Sequence, residues 1–324
     1  MRVPKALSPT SVRKFFENRQ DFYLQYLSEN KNPRPPQPDY MSVGAGVDAC
    51  VKSQICYDVF GTTKGTEFEF EKLFETQVEA HARDFTLPRC KDIWYQYVEC
   101  GAYASLRDDV LGSPQEPEME FRVVRTVGGV PMIGYPDLRY IDRRDIHVVC
   151  DFKVNGSTSK TGASPFQGYK VARDCYGSNT HGKSHKKYEP LDFNGLEINA
   201  TSLDEVCDYW ADQLSTYSWL LGEEVGSQDF VVRMEQFAMR KVKSRELPRG
   251  KFVTHLNRIS ASYQNEVLEQ YRLAWRLINS GHIFTALTRE KSDELCETLD
   301  RSAETPKGMF GALHRDNDFA HFKG

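Results

Sequence analysis

The chain has 324 residues, of which 40% are hydrophobic and 27% charged; this is the make-up of a globular protein with a real core, and it excludes a disordered or fibrous chain. A formal net charge of −4 excludes wholesale attraction to nucleic acid, so contact with phosphates would have to come from local basic stretches. No apolar run is long enough for a signal peptide or a membrane span, so the expected setting is cytoplasmic, with no membrane partner.

In chain order, Ser8-Pro9 offers a capping hydroxyl followed by proline at the first helical position. Val12, Phe15, Phe16, Phe22, Tyr23, Tyr26 and Leu27 then follow a helical period, and the proline-rich stretch 32–38 ends that helix. Further helices are predicted over 43–59, 67–81 and 90–111. The pattern turns to β after Pro114 and Pro117: a strand over 119–124, a Val127-Gly128-Gly129 hairpin turn, a strand over 130–141, a polar turn over 142–145 and a buried strand over 146–152. The stretch 155–196 has no sustained period and is expected to be a long loop. Helix resumes over 203–221, a strand covers 230–238, a long helix covers 260–279, and residues from Arg301 on are expected to fray. The predicted fold is α/β: a central mixed sheet flanked by helices, with helical additions at both ends. Its parts are a helical region over 1–113, a core over 114–240 with a basic insertion at 155–200, and a helical extension over 241–324.

Chemistry concentrates where Gly134-Tyr135-Pro136-Asp137 is followed, after thirteen residues, by Asp151-Phe152-Lys153. Two strands joined by a turn would set Asp137 beside Asp151, and Lys153, two positions on, points to the same face as Asp151. Two carboxylates and an ammonium at one point suit Mg²⁺ or Mn²⁺ and the activation of a water against a phosphate. Short strings of this kind also describe two strand-end acids with a solvated lysine. What favours the site is that Val148-Val149-Cys150 runs straight into charges that are costly to bury unpaired.

With these motifs the chain resembles the PD-(D/E)XK nuclease superfamily, and more closely its RecB-like exonuclease branch. Leu7-Ser8-Pro9-Thr10-Ser11 leading to Phe22-Tyr23-Leu24 is similar to that branch's opening helix, and Gly44 to Asp48 to its Gly-x-x-x-His block. Glu120, Gly134, Asp137, Asp151 and Lys153 match its strand elements, and Gln213 to Tyr217 its Gln-x-x-x-Tyr element. The resemblance implies a DNase, exonucleolytic on ends or single strands, in phage replication, recombination or repair, within the host cytoplasm if phage-encoded. It implies Asp137, Asp151, Lys153, Gln213 and Tyr217 as catalytic residues and Asp137, Asp151, Phe152, Asp48 and Glu120 as the metal set. Asp48 stands where the branch has histidine, which would make that ligand an oxygen donor. Glu75 and Glu79 are rival supporting carboxylates. An iron–sulfur cluster is not expected: Asn18-Arg19 stand where iron–sulfur members carry Cys-Pro, and of the eight cysteines only Cys296 lies beyond Cys207.

Two basic stretches are candidates for gripping nucleic acid. One holds Lys170, Arg173, Lys183, Lys186 and Lys187 with interleaved tyrosines. The other runs from Arg233 to Lys251 and includes Arg240, Lys241 and Lys243. Each could equally be a solvated face. Two other functions stay open: a DNA-binding module without turnover, and an endonuclease or junction resolvase using the same residues.

Overall fold

A computed structural model describes residues 3–29, 36–156, 190–240, 247 and 249–280. Its centre is a mixed seven-stranded sheet of β1 (Glu118–Met119), β4 (Leu138–Ile141), β5 (His147–Gly156), β8 (Phe230–Arg240), β9 (Arg249–Asn257), β7 (Leu196–Asn199) and β6 (Pro190–Phe193), in that order. β5 and β8 pair in parallel; β4 pairs antiparallel with β5, and β9 with β8. A separate hairpin joins β2 (Val123–Val127) to β3 (Val130–Gly134), and Leu7 adds to it through bonds with Pro131 and Ile133.

Helices cover both faces of the sheet, as the α/β reading expects. Val148, Cys150 and Phe152 of β5 pack towards α3 (Asp39–Phe60), α5 (Arg83–Glu99) and α6 (Ala102–Leu111). Val149 points the other way, into a core built from α1 (Pro9–Glu17), α8 (Asp208–Leu221), α9 (Ala261–Asn279) and the β2–β3 hairpin. The alternation of a pleated strand therefore assigns Asp151 and Lys153 to the α8 face.

Several boundaries differ from the sequence expectation, each for a local reason. The helix expected to run unbroken to Leu27 breaks at Asn18, whose extended backbone closes α1 while its side chain caps α2 (Arg19–Phe22), which runs on as a π turn over Tyr23–Leu27. The expected helix over 67–81 is α4 (Phe70–Gln77) followed by a short 3₁₀ turn at Ala80–Ala82. That over 90–111 is two helices, because Gly101 turns the chain with φ 76°. The strand over 130–141 is interrupted at 135–137, so Asp137 sits in a bend and not within a ladder. The expected loop over 155–196 ends in the hairpin β6–β7, and the second basic stretch runs from within β8 into the start of β9. Short strands such as Pro190–Phe193 carry too few alternating positions to stand out. α7 (Leu203–Val206) leads into α8 through an extended Cys207.

Candidate active site

The β4–β5 ladder pairs Leu138 with Cys150, so the next residues along, Asp137 and Asp151, fall opposite each other. Asp137 is fixed by the strand it faces: its Oδ2 accepts the backbone N–H of Phe152 at 3.0 Å. Asp151 is buried, with its Oδ1 accepting from Gln213 Nε2 at 2.9 Å and its Oδ2 against the Lys153 ammonium. The same Gln213 amide donates to the Tyr217 hydroxyl at 2.8 Å, one helical turn along α8. The structure therefore brings together all five residues expected to be catalytic. Gln213 thereby holds the carboxylate that pairs with Lys153.

Gly134 explains how α8 comes so close. A Cβ there would lie 2.6 Å from Leu220 Cδ1 and 2.8 Å from Tyr217 Cε1, so only glycine lets α8 seat its Tyr217 turn on β3. On the opposite face, Gly46 does the same for α3, where an added Cβ would lie 2.9 Å from Cys90 Cβ of α5.

α3 supplies Asp48 and, one turn later, Lys52, which the sequence reading missed. The Lys52 side chain is only 4% exposed, and its Nζ lies 2.8 Å from Asp48, 3.0 Å from Asp137 Oδ1 and 3.4 Å from Glu120. Its signal was present: a lysine four residues after a candidate ligand, with Val51 and Ile55 buried around it. Gln77 at the end of α4 fixes Asp48 by donating to its Oδ2 at 2.9 Å. Glu120 arrives from the bend after β1 with a left-handed φ of 40°, its N–H bonded to Asp137 O. Such a conformation in a non-glycine residue costs on the order of 1 kcal/mol and is held by its surroundings.

Burial governs the electrostatics. It pushes Asp151 up to about 7 even though Lys153 opposes it, with the Asp137 charge adding to the rise. Asp48 goes up to about 6 for the same first reason, against the pull of Lys52. For Asp137 burial also pushes upward, but Lys52, Lys153 and the Phe152 N–H outweigh it and the carboxyl is held low. Both lysines are held above their ordinary range because the surrounding carboxylates outweigh the cost of burial.

Four carboxylates, of Asp48, Glu120, Asp137 and Asp151, thus face two ammonium groups, leaving two formal negative charges in excess. That excess leaves the cluster able to accept a further positive charge. Oxygen donors of this kind suit Mg²⁺ or Mn²⁺. Among the described residues, no three acidic, histidine or cysteine side chains converge closely enough to grip an ion as they stand. Lys52 and Lys153 occupy the oxygens that would do so. Phe152 buries its ring in the core, so only its backbone faces the centre. Glu79 is engaged elsewhere, accepting from the Gln37 N–H at 3.0 Å, and Glu75 gives only its backbone carbonyl, to Arg83.

Of the residues expected to grip nucleic acid, Lys170, Arg173, Lys183, Lys186, Lys187, Lys241 and Lys243 lie outside the described residues. Arg240 ends β8, with only its backbone described. Arg233, at the start of the second basic stretch, is a buried structural cation and not part of a solvated face: it pairs with Asp109 at 2.6 Å and Glu235 at 2.7 Å. No described helix is long and apolar enough to cross a membrane.

No protein-family model and no curated protein matches the chain. Among solved structures, the crystal structure of SSO0001 is similar over 82% of this chain and 84% of its own, at 11% identity and a TM-score of 0.26, a likeness too loose to bear on fold or function.

Proposed function

We propose that this chain is a Mg²⁺- or Mn²⁺-dependent nuclease that hydrolyses DNA phosphodiester bonds, acting on ends or single strands. The observation that carries this reading is the meeting of Asp137, Asp151 and Lys153 at one point of the sheet, with Gln213 fixing Asp151 from α8. Asp137 and Asp151 would hold the ion, which supplies a Lewis acid to activate water and neutralise phosphate charge. Lys153, 24% exposed and held by one carboxylate, is placed to leave Asp151 and donate to a phosphate oxygen. Gln213 and Tyr217 are positioning residues that keep Asp151 in one orientation.

A second reading has an observation of its own. Lys52 already neutralises part of the carboxylate cluster, which favours a DNA-binding module with little turnover on the same framework. Linear, nicked and circular DNA incubated in Mg²⁺, Mn²⁺ or EDTA separates the two, with Lys153→Ala as control. Metal-dependent loss of linear DNA by the parent alone supports the nuclease. Retardation of DNA without shortening in either metal supports the module, and cutting of closed circles identifies an endonuclease.

A further inference from the structure

We propose that Lys52 is a built-in cation that stands in the place of one divalent ion, so that this centre takes up a single metal, at Asp137 and Asp151, and not a pair. The inference rests on the reading of this site as a metal centre, though not on whether it cuts DNA.

Three carboxylates from three separate segments converge on the Lys52 ammonium: Asp48 from α3, Glu120 from the bend after β1, and Asp137 from the bend before β4. Convergence of oxygens from distant segments is how a protein builds a cation site. Here the cation is covalently part of the chain. Its anchor is rigid, since Lys52 lies deep in a 22-residue helix whose Gly46 is packed tightly on α5. Asp48 is held in turn by Gln77. An added ion among these three carboxylates would meet the ammonium at contact distance, so the two exclude each other.

The two lysines differ in how firmly they are held. Among the described residues Lys153 makes one ion pair, and it is 24% exposed, so it can move aside within the site. Among the described residues Lys52 makes three and is 4% exposed. After both have paired, two formal negative charges remain in the centre as a whole, which equals the charge of one divalent ion. A second ion would overshoot.

The test counts Mn²⁺ bound to the full chain, by titration calorimetry and by the electron paramagnetic resonance of free Mn²⁺. The parent should bind one Mn²⁺ per chain, and Asp151→Asn should lose it. Lys52→Ala should gain a second Mn²⁺ at least 10-fold tighter than any further binding by the parent, and Lys52→Arg, which keeps the charge, should remain at one. Lys52→Gln, with its stem and a donor retained, takes the place of Lys52→Ala if that variant does not fold. Two ions in the parent, none in the parent, or a single ion in the charge-removing variant would each overturn the proposal. Because cleavage is not the readout, one ion in the parent and two in the variant uphold it even if neither cuts DNA.

Discussion

Gly134→Ala links the fold to the chemistry most directly. A Cβ at this position would lie 2.6 Å from Leu220 Cδ1 and 2.8 Å from the Tyr217 ring, against an ordinary carbon contact of about 3.5–4 Å. Relief therefore needs a shift of roughly 1 Å, and both atoms belong to one turn of α8, so the helix must withdraw or two buried side chains must leave their rotamers. Overpacking of this size costs about 1–3 kcal/mol. The same shift carries Tyr217 and Gln213 away from Asp151, and a misplacement of about 1 Å at a reacting centre costs on the order of 10²-fold in rate. Urea unfolding followed by tryptophan fluorescence reads the first effect and metal-dependent DNA cleavage the second. Adding Leu220→Ala should recover only part of the loss, because the Tyr217 contact remains. A Gly134→Ala variant within about 0.5 kcal/mol of the parent, cutting at the parent's rate, would refute the claim that this glycine sets the α8 approach.

The two central aspartates should respond differently to substitution. Burial pushes Asp151 up to about 7, so its ionised form adds little stability at neutral pH without metal, and Asp151→Asn should abolish cleavage while the melting temperature stays within a few degrees; a large drop would mark it as structural. Asp137 is held low and pairs with Lys52, so Asp137→Asn should lose about 2 kcal/mol of stability as well as activity, and an unchanged unfolding midpoint would contradict the pairing. Arg233→Met should cost about 3–5 kcal/mol, since it strands the buried Glu235; chemical denaturation measures this, and a loss below 1 kcal/mol would mean the pair is dispensable. Burial pushes His255 down to about 4 from an unfolded value near 6.5, so below about pH 6.5 the unfolded chain takes the proton first and stability falls until about pH 4. His255→Gln should therefore narrow the stability gap between pH 7 and pH 5 by about 1–2 kcal/mol, and identical pH profiles for parent and variant would show that the imidazole is not buried neutral.

Elements with a strong period or a specific cap were legible in the sequence. Ser8 caps α1 as its hydroxyl and the following proline suggested, and the run Val148-Val149-Cys150 is a central buried strand. Asp137, Asp151 and Lys153 could be placed together because strand periodicity and one turn suffice to do so. Gln213 and Tyr217 could be placed on one helix face, but their hold on Asp151 depends on how α8 lies across the sheet, which Gly134 decides through packing. Lys52 was missed for a related reason: the i,i+4 spacing from Asp48 is common on any helix, and its other two partners lie 68 and 85 positions further along the chain. The four-residue strands β6 and β7 are too short for alternation to show, and their hairpin and the antiparallel pairing of β9 with β8 emerge only in the folded sheet. Arg233 looked like surface charge because Asp109, which pairs with it, is brought to it only by the fold.

The proposed function makes Asp137, Asp151 and Lys153 a metal-dependent phosphodiester-cleaving centre. The most direct measurement is single-turnover cleavage of end-labelled linear DNA at excess protein in Mn²⁺, comparing the parent, the parent in EDTA, and Asp151→Asn. Shortened product is expected from the parent in Mn²⁺ alone. Cleavage that persists in EDTA or in Asp151→Asn, or no cleavage by a folded parent in either Mn²⁺ or Mg²⁺, would contradict it.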